Sequence, residues 1–395
     1  MMRGMPLIVC DVRAAGYRSL RAIRFPVARL SVFLGANGAG KTNLYRALQL
    51  LQAAAAGTLS QELAAEGGME SALYAGKRKT REPERITLMA GFAPSAASSD
   101  DDGAGAAYSY EVTIGLGGIT SAAFAREPQV KEETLTFHHG SRPIKLLERR
   151  GPHVVARDEK GLRVDLTMDL MASETALGSI AEPERFADLD LIRRTMLDWR
   201  FYHVLRTDRD SALRRPCLAV TSPTLASDGA NLAAVFATLI HIREDASSLD
   251  AMIDDAFAGA RLIVPAPERT ASFGMVFPEY PGRVFDASEL SDGTLRYLAL
   301  AGALLAYRLP AFIALNEPET SLHPDLLEPL ARLITRASER TQIWLVTHSE
   351  QLAAALQKHG RIKPHTVVRK NGETWIEGLK LTGGFSKAQD EKDDQ

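Results

Sequence analysis

Eight consecutive residues, Gly35-Ala36-Asn37-Gly38-Ala39-Gly40-Lys41-Thr42, concentrate the chemistry of this sequence. Their spacing is G-x-x-x-x-G-K-[ST], the pattern of a loop that cradles phosphate. Gly35, Gly38 and Gly40 let successive N–H groups turn inward, and Asn37, Ala39 and Asn43 complete the phosphate-facing stretch. Lys41 supplies a mobile positive charge for β- and γ-phosphates, and the Thr42 hydroxyl suits Mg²⁺. A Gly-rich turn matching by accident would have no reason to follow the strand-like SVFL and precede the amphipathic TNLYRALQLLQAAAA.

Three further places could complete a hydrolytic reaction. The apolar run AFIAL ends in Asn316-Glu317-Pro318-Glu319, which sets carboxylates at the carboxyl end of a buried strand, where ligands sit in parallel sheets. Glu317 there could orient or deprotonate a water attacking a γ-phosphate, and the Asn316 amide oxygen could accept from a Mg²⁺-bound water. The strand QIWLV ends in Thr347-His348-Ser349, and His348 could hydrogen-bond the γ-phosphate or that water. Ser291 and Gly293, in Leu290-Ser291-Asp292-Gly293-Thr294, open a helix whose first N–H groups suit an anion. Each place also has a plain reading: a helix-entry loop with Pro324 in its first turn, a packed histidine, and a helix cap. Their company with a phosphate loop favours chemistry. Two phosphate-binding helix ends in one chain fit an assembly in which the second closes over the γ-phosphate from a partner subunit.

The elements that must hold these residues are legible at both ends of the chain. Residues 5–34 read as short strands, and 42–56 as a helix with Leu44, Leu48 and Leu51 on one face and Gly57 as its stop. From about 86 to 190, strand-like runs such as RITLMAGFA, AYSYEVTIGL, VKEETLTF, PIKLLER and HVVARDEKGLRVDL alternate with polar loops, as in an inserted antiparallel subdomain. No heptad repeat predicts a long coiled coil there. The last third alternates again: helix 294–308, strand 311–315, helix 324–339, strand 342–347, helix 350–358, and a hairpin turning at Asn371-Gly372. The expected organisation is an α/β P-loop head in two lobes, 1–85 and 199–385, around a β-rich insert at 86–198. The polar tail 386–395 is expected to be disordered.

In this order the four elements resemble the ATP-binding-cassette class of P-loop ATPases. GANGAGKT is similar to its Walker A loop, LSDGT to its signature loop, FIALNEPE to its Walker B strand and THS to its switch-histidine segment. The continuation EPETSLHP resembles the chromosome-maintenance, RecF-like and overcoming-lysogenisation-defect branch. YRSLRAIRF, SDGANLAAVFATL and LNEPETSLHPDLL resemble the stand-alone AAA ATPases grouped with abortive-infection and toxin–antitoxin systems. The resemblance covers about 1–60 and 199–385. It implies ATP and Mg²⁺ as ligands, Lys41, Glu317 and His348 as catalytic residues, Thr42 and Asn316 at the metal, and an ATP-dependent homodimer. It further implies a switch acting on DNA or on a separately encoded nuclease or toxin in DNA repair or phage defence. Asn316 departs from the usual Asp, brings no charge and points to slow turnover; Thr294 replaces a common Gln. His323 stands at the D-loop aspartate position. The Mg²⁺-sensing glutamine has only Gln49, Gln52 and Gln61 as candidates by proximity.

Composition narrows the partners. The net charge is -2, from 47 basic and 49 acidic residues, which excludes a wholly basic nucleic-acid binder. A local strip remains: 193–215 holds seven arginines and three aspartates with Trp199, Phe201 and Tyr202 between them, readable as a DNA-backbone contact or as a strand re-entering the core. Cys10 and Cys217 are the only cysteines, so a disulfide framework and a Cys-rich zinc site are excluded. No apolar run reaches the ~20 residues of a membrane span, and the apolar stretch near the start is too short for a signal peptide, so a cytoplasmic location is expected. With 47 residues after His348, no appended nuclease is expected in this sequence. Two competing readings are a transporter nucleotide-binding subunit, disfavoured by the insert and by EPETSLHP, and a low-turnover ATP-binding scaffold, suggested by Asn316.

Overall fold

Alternation sets the first strands: from Leu7 to Tyr17 the buried residues are Leu7, Val9, Val12, Ala14 and Tyr17, a two-residue period with two three-residue steps, one at the Val9–Asp11 register shift and one before Tyr17 at the turn into β2. The computed structural model describes residues 7–77, 84–95, 106–117, 124, 126–139, 142–166, 169–203, 205–242, 246–380 and 383–385. The polar tail and most of the polar loop around 100 lie outside the described residues. In chain order the first elements are β1 (Leu7–Tyr17), β2 (Leu20–Pro26), β3 (Leu30–Leu34), α1 (Lys41–Ala56), α2 (Leu59–Ala65) and α3 (Gly68–Ala72). The insert follows with β4 (Arg85–Pro94), β5 (Tyr108–Gly115), β6 (Gln129–His139), β7 (Arg142–Arg150), β8 (His153–Arg157) and β9 (Arg163–Leu166). Next come α4 (Ala176–Ser179), α5 (Ala187–Leu197), β10 (Arg200–Tyr202), β11 (Cys217–Leu218), α6 (Leu232–His241) and α7 (Ala246–Ala256). Short strands β12 (Arg261–Ile263), β13 (Thr270–Ala271), β14 (Gly274–Val276) and β15 (Phe285–Asp286) lead to α8 (Asp292–Leu305). The chain closes with β16 (Phe312–Asn316), α9 (Leu327–Ser338), β17 (Gln342–Thr347), α10 (Glu350–Gly360), β18 (His365–Lys370) and β19 (Glu373–Ile376).

These elements form two compact units, one from residues 1–28, 35–199 and 365–395, the other from 29–34 and 200–364. The first unit is built on one antiparallel sheet in the order β2-β1-β4-β5-β6-β7-β8-β9. β4 to β9, in the region read from the sequence as an insert, therefore continue the N-terminal strands in one sheet. Glu133 of β6 is fully buried there, and its carboxylate accepts from Tyr110 Oη (2.9 Å) and from the N–H groups of Ala176 (2.6 Å) and Leu177 (2.8 Å). Burial raises its pKa, and those three donors oppose the rise. The stretch HVVARDEKGLRVDL is a hairpin, because the Asp158 carboxylate accepts from Lys160 N and Leu162 N and turns the chain.

The second unit carries a parallel ladder in the order β10-β16-β17-β3. Its strands are buried almost throughout, the composition of a sheet covered on both faces. Phe33 and Trp344 stack across β3 and β17 with ring centroids 4.2 Å apart, worth about 0.5–1.5 kcal/mol beyond their buried area. Several boundaries differ from the sequence reading: α8 ends three residues early, β16 sits one residue later, α10 runs two residues longer, and two differences have a local cause. α8 starts two residues early because Ser291 caps it, and the element expected at 324–339 opens as a 3₁₀ turn, Pro324–Leu326, before α9. Among the described residues no helix is long and apolar enough to cross a membrane.

Candidate functional site

The phosphate loop in the first unit has the backbone its sequence requires. Gly38 and Gly40 take φ of 82° and 95°, left-handed values open to glycine, and α1 begins at Lys41 with no side-chain cap on its first N–H groups. A methyl group on Gly40 would lie 1.8 Å from Thr374 Oγ1, whereas one on Gly38 would meet nothing within 4 Å. Ala36, Asn37, Gly38 and Thr42 are exposed. Lys41 is buried to 4% exposure, and its Nζ donates across the loop to the carbonyls of Gly35 (2.6 Å) and Ala36 (2.9 Å).

A relay of side chains braces this loop from behind. Asn43 Nδ2 donates to Ser19 Oγ (2.6 Å), which lies 2.6 Å from Thr374 Oγ1, which in turn donates to Ala39 O (2.9 Å). The Asn43 amide thus supports the loop through the β1–β2 turn. Thr374, on the last hairpin, carries no signal in the sequence, since nothing local marks a contact 335 residues distant. Of the glutamine candidates, Gln49 accepts from Arg46, Gln52 donates to the carbonyls of Met196 and Trp199, and Gln61 is exposed on α2.

In the second unit the carboxyl ends of β3, β16 and β17 open on the same edge of the ladder, because all three run parallel in register. The chain passes from Leu34 directly into the phosphate loop. At the end of β16, Asn316 Oδ1 is buried with no hydrogen-bond partner. Glu317 sits at φ 47°, a left-handed backbone that costs a non-glycine residue about 1–2 kcal/mol. Its N–H donates to Val346 O (2.8 Å), which holds the turn against β17. His348, at the end of β17, brings Nδ1 within 3.6 Å of Glu317 Oε1 and 3.3 Å of Glu319 Oε1. Glu319 is 7% exposed and accepts from Thr347 Oγ1 (2.5 Å) and His348 N (3.1 Å).

The signature-like loop lies in the same unit. Ser291 is exposed at the start of α8, with its Oγ accepting from Thr294 N (3.1 Å), and Gly293 is half-buried, its Cα facing Ser321 O. Arg214 underpins this loop. Its guanidinium donates to Ser288 O (3.0 Å), Leu290 O (2.7 Å) and Thr207 O (2.9 Å) and pairs with Asp292 at 2.6 Å. Of the two readings of 193–215, Arg214 does not support a DNA contact, since its donors go to the chain's own backbone and to Asp292. Elsewhere in the Arg-rich segment, Arg194 pairs with Asp190 in the first unit, and Arg206 with Asp208 and Arg215 with Asp210 in the second. Trp199, Phe201 and Tyr202 are buried, so these rings are core and cannot stack on bases.

Residues 30–354 match the family described as "AAA domain, putative AbiEii toxin, Type IV TA system". A stretch of 112 residues is 30% identical to the chromosome partition protein Smc of Mycoplasma genitalium, covering 26% of this chain and 11% of that protein. The chain thus spans about a tenth of the length of that curated relative. Two solved structures share the fold. One is an Smc head bound to the C-winged helix domain of ScpA (16% identity, TM-score 0.51, 95% of this chain and 99% of that one). The other is a Pyrococcus furiosus Smc head domain with an extended coiled coil, bound to the C-terminal domain of ScpA (14%, TM-score 0.50, 95% and 97%). The parallel ladder, with Glu317 and His348 at the ends of neighbouring strands, agrees with that fold, and the chain belongs to the AAA-domain family described as putative AbiEii toxin of type IV toxin–antitoxin systems.

Proposed function

We propose that this protein binds and slowly hydrolyses ATP, dimerises around two ATP molecules, and uses that dimer as a switch on a partner in phage defence or DNA repair. The observation that carries this reading is the ladder edge: Glu317 and His348 leave parallel neighbours of the strand that feeds the phosphate loop. Lys41 and the N–H groups at the start of α1 hold the phosphates. Glu317 orients the attacking water and takes its proton, and His348 contacts the γ-phosphate or that water. Thr42 and Asn316 would hold Mg²⁺, which when bound neutralises charge on the β- and γ-oxygens. The orphaned, buried Asn316 Oδ1 fits that task, because a water on the ion would give it the donor it lacks. Ser291 and Gly293 of one protomer close on the ATP of the other.

A neutral amide at position 316 leaves one charge fewer near the metal than an aspartate would, which supports slow turnover and a second reading as a low-turnover ATP-dependent scaffold. For the partner we favour a separately encoded effector protein, a nuclease or toxin, over DNA. The aromatic residues of the Arg-rich segment are core and Arg214 is engaged. Both Smc heads cited above were solved with a bound ScpA domain, a precedent for a protein partner.

The test is light scattering on size-exclusion eluates with ATP and Mg²⁺. Glu317→Gln should accumulate as a dimer, with hydrolysis slowed roughly 10²–10⁴-fold. Lys41→Ala should stay monomeric, having lost on the order of 1.5–3 kcal/mol of ATP binding. Monomer at every nucleotide condition would remove the switch.

A further inference from the structure

Glu319 was not among the residues singled out for the reaction, yet its surroundings are the more unusual of the two carboxylates. Glu317, with a third of its side chain exposed, faces outward. Glu319, two residues on, is 7% exposed and turned inward. The reason is local. Glu317 takes the left-handed turn, the buried Pro318 fixes the next φ, and Thr320 N closes back on Glu317 O (3.1 Å). The chain therefore brings both carboxylates to His348, Glu317 from the exposed side and Glu319 from the buried one.

Burying a carboxylate is costly unless donors meet it. Glu319 Oε1 meets three groups, and all belong to the end of β17: Thr347 Oγ1 at 2.5 Å, His348 N at 3.1 Å and His348 Nδ1 at 3.3 Å. Thr347 Oγ1 also accepts from Ser349 N (2.9 Å), so the carboxylate reaches the first turn of α10 through that hydroxyl. Its second oxygen, Oε2, is buried with no hydrogen-bond partner. Arg296, 7% exposed beneath the turn, feels this charge from beyond ion-pair distance and donates to Leu205 O (2.9 Å). A plain packing role would not place an acid here, since a neutral side chain would fill the same space at lower cost.

We propose that Glu319 is the positioning residue for His348. With Glu319 Oε1 and Glu317 Oε1 both beside Nδ1, that nitrogen carries the ring proton, because a lone pair there would face two carboxylates. Nε2, on the far side of the ring, is then the lone-pair nitrogen of the neutral imidazole. In that form it accepts from a water. It donates to a phosphate oxygen only as the imidazolium. Glu319 thus fixes which nitrogen is available for the reaction, and Glu317 keeps its outward face for the attacking water.

The hydrolytic part of this inference rests on the ATPase reading; the tautomer does not. The experiment records ring ¹⁵N shifts of the nucleotide-free full chain, with His348 identified by comparison with His348→Gln. His348 should be protonated at Nδ1 in the wild type, and an Nε2-protonated major form would overturn the proposal. In Glu319→Gln, isosteric but uncharged, the ring should become a mixture of tautomers. Its kcat should fall roughly tenfold to a hundredfold while KM for ATP moves less than about threefold. A pure Nδ1–H ring with kcat within about twofold of wild type would overturn it as well. Should Glu319→Gln not fold, Thr347→Val removes the 2.5 Å donor without changing shape. It should move tautomer and kcat in the same direction by less, and no change in either would overturn the proposal. If the wild type hydrolyses no ATP, the ATPase reading falls, while the ring tautomer still decides the role of Glu319.

Discussion

Two glycines in one loop make the sharpest contrast at the scale of single residues. Gly38 and Gly40 both carry positive φ, but only Gly40 is pressed against Thr374. Gly38→Ala should therefore cost about 1–2 kcal/mol of stability, the backbone penalty alone. Gly40→Ala should cost more than that and also displace the hairpin residue that donates to Ala39 O. Urea denaturation midpoints separate the two; equal losses would mean that the brace has no energetic role. The phosphate loop itself was legible because its chemistry is written in adjacent residues. Glu319, Arg214 and Thr374 were not, because what defines them is a contact 28, 78 or 335 positions away.

Helix α9 and helix α10 are joined by a small charged staple whose pH response can be worked out. Glu328 accepts from Lys358 Nζ (2.6 Å) and His359 Nε2 (2.7 Å), and those two hydrogen bonds, Lys358 first, hold its pKa down to about 2. A carboxylate with a lowered folded-state pKa stabilises the fold above its ordinary value and loses that contribution as pH falls through the lowered one. The stability gap between wild type and Glu328→Gln should therefore be largest above about pH 5 and close as pH drops toward 2. A gap independent of pH would show that the staple contributes nothing through its charge. Periodicity made these elements readable, and Gly57 and Asn371-Gly372 stopped or turned the chain where expected, with φ of 78°, 52° and 85°. It failed at α5, where arginines masked the apolar stripe of Leu189, Ile192 and Met196.

For the whole molecule, the signature-like loop is where the fold bears on the proposed ATP dimer. Arg214→Glu would turn three backbone contacts and one ion pair into repulsion around Asp292. ATP-driven dimerisation should then weaken by more than tenfold, whereas charge reversal at the exposed Arg209 should leave it intact. Light scattering across protein concentration reads the difference; equal behaviour would detach the loop from the dimer. The interleaving of the two units also sets an order of events during synthesis. β3 pairs with β17, and Ala39 waits for Thr374, 335 residues later in the chain. At ~5–20 residues per second a ribosome needs on the order of half a minute to cover that span. A nascent chain stalled before β17 exposes an apolar β3, and one stalled anywhere before Thr374 carries an unbraced phosphate loop. The brace on the loop therefore arrives late in translation, and premature truncation yields clients for chaperones and proteases in place of partly folded chains that persist.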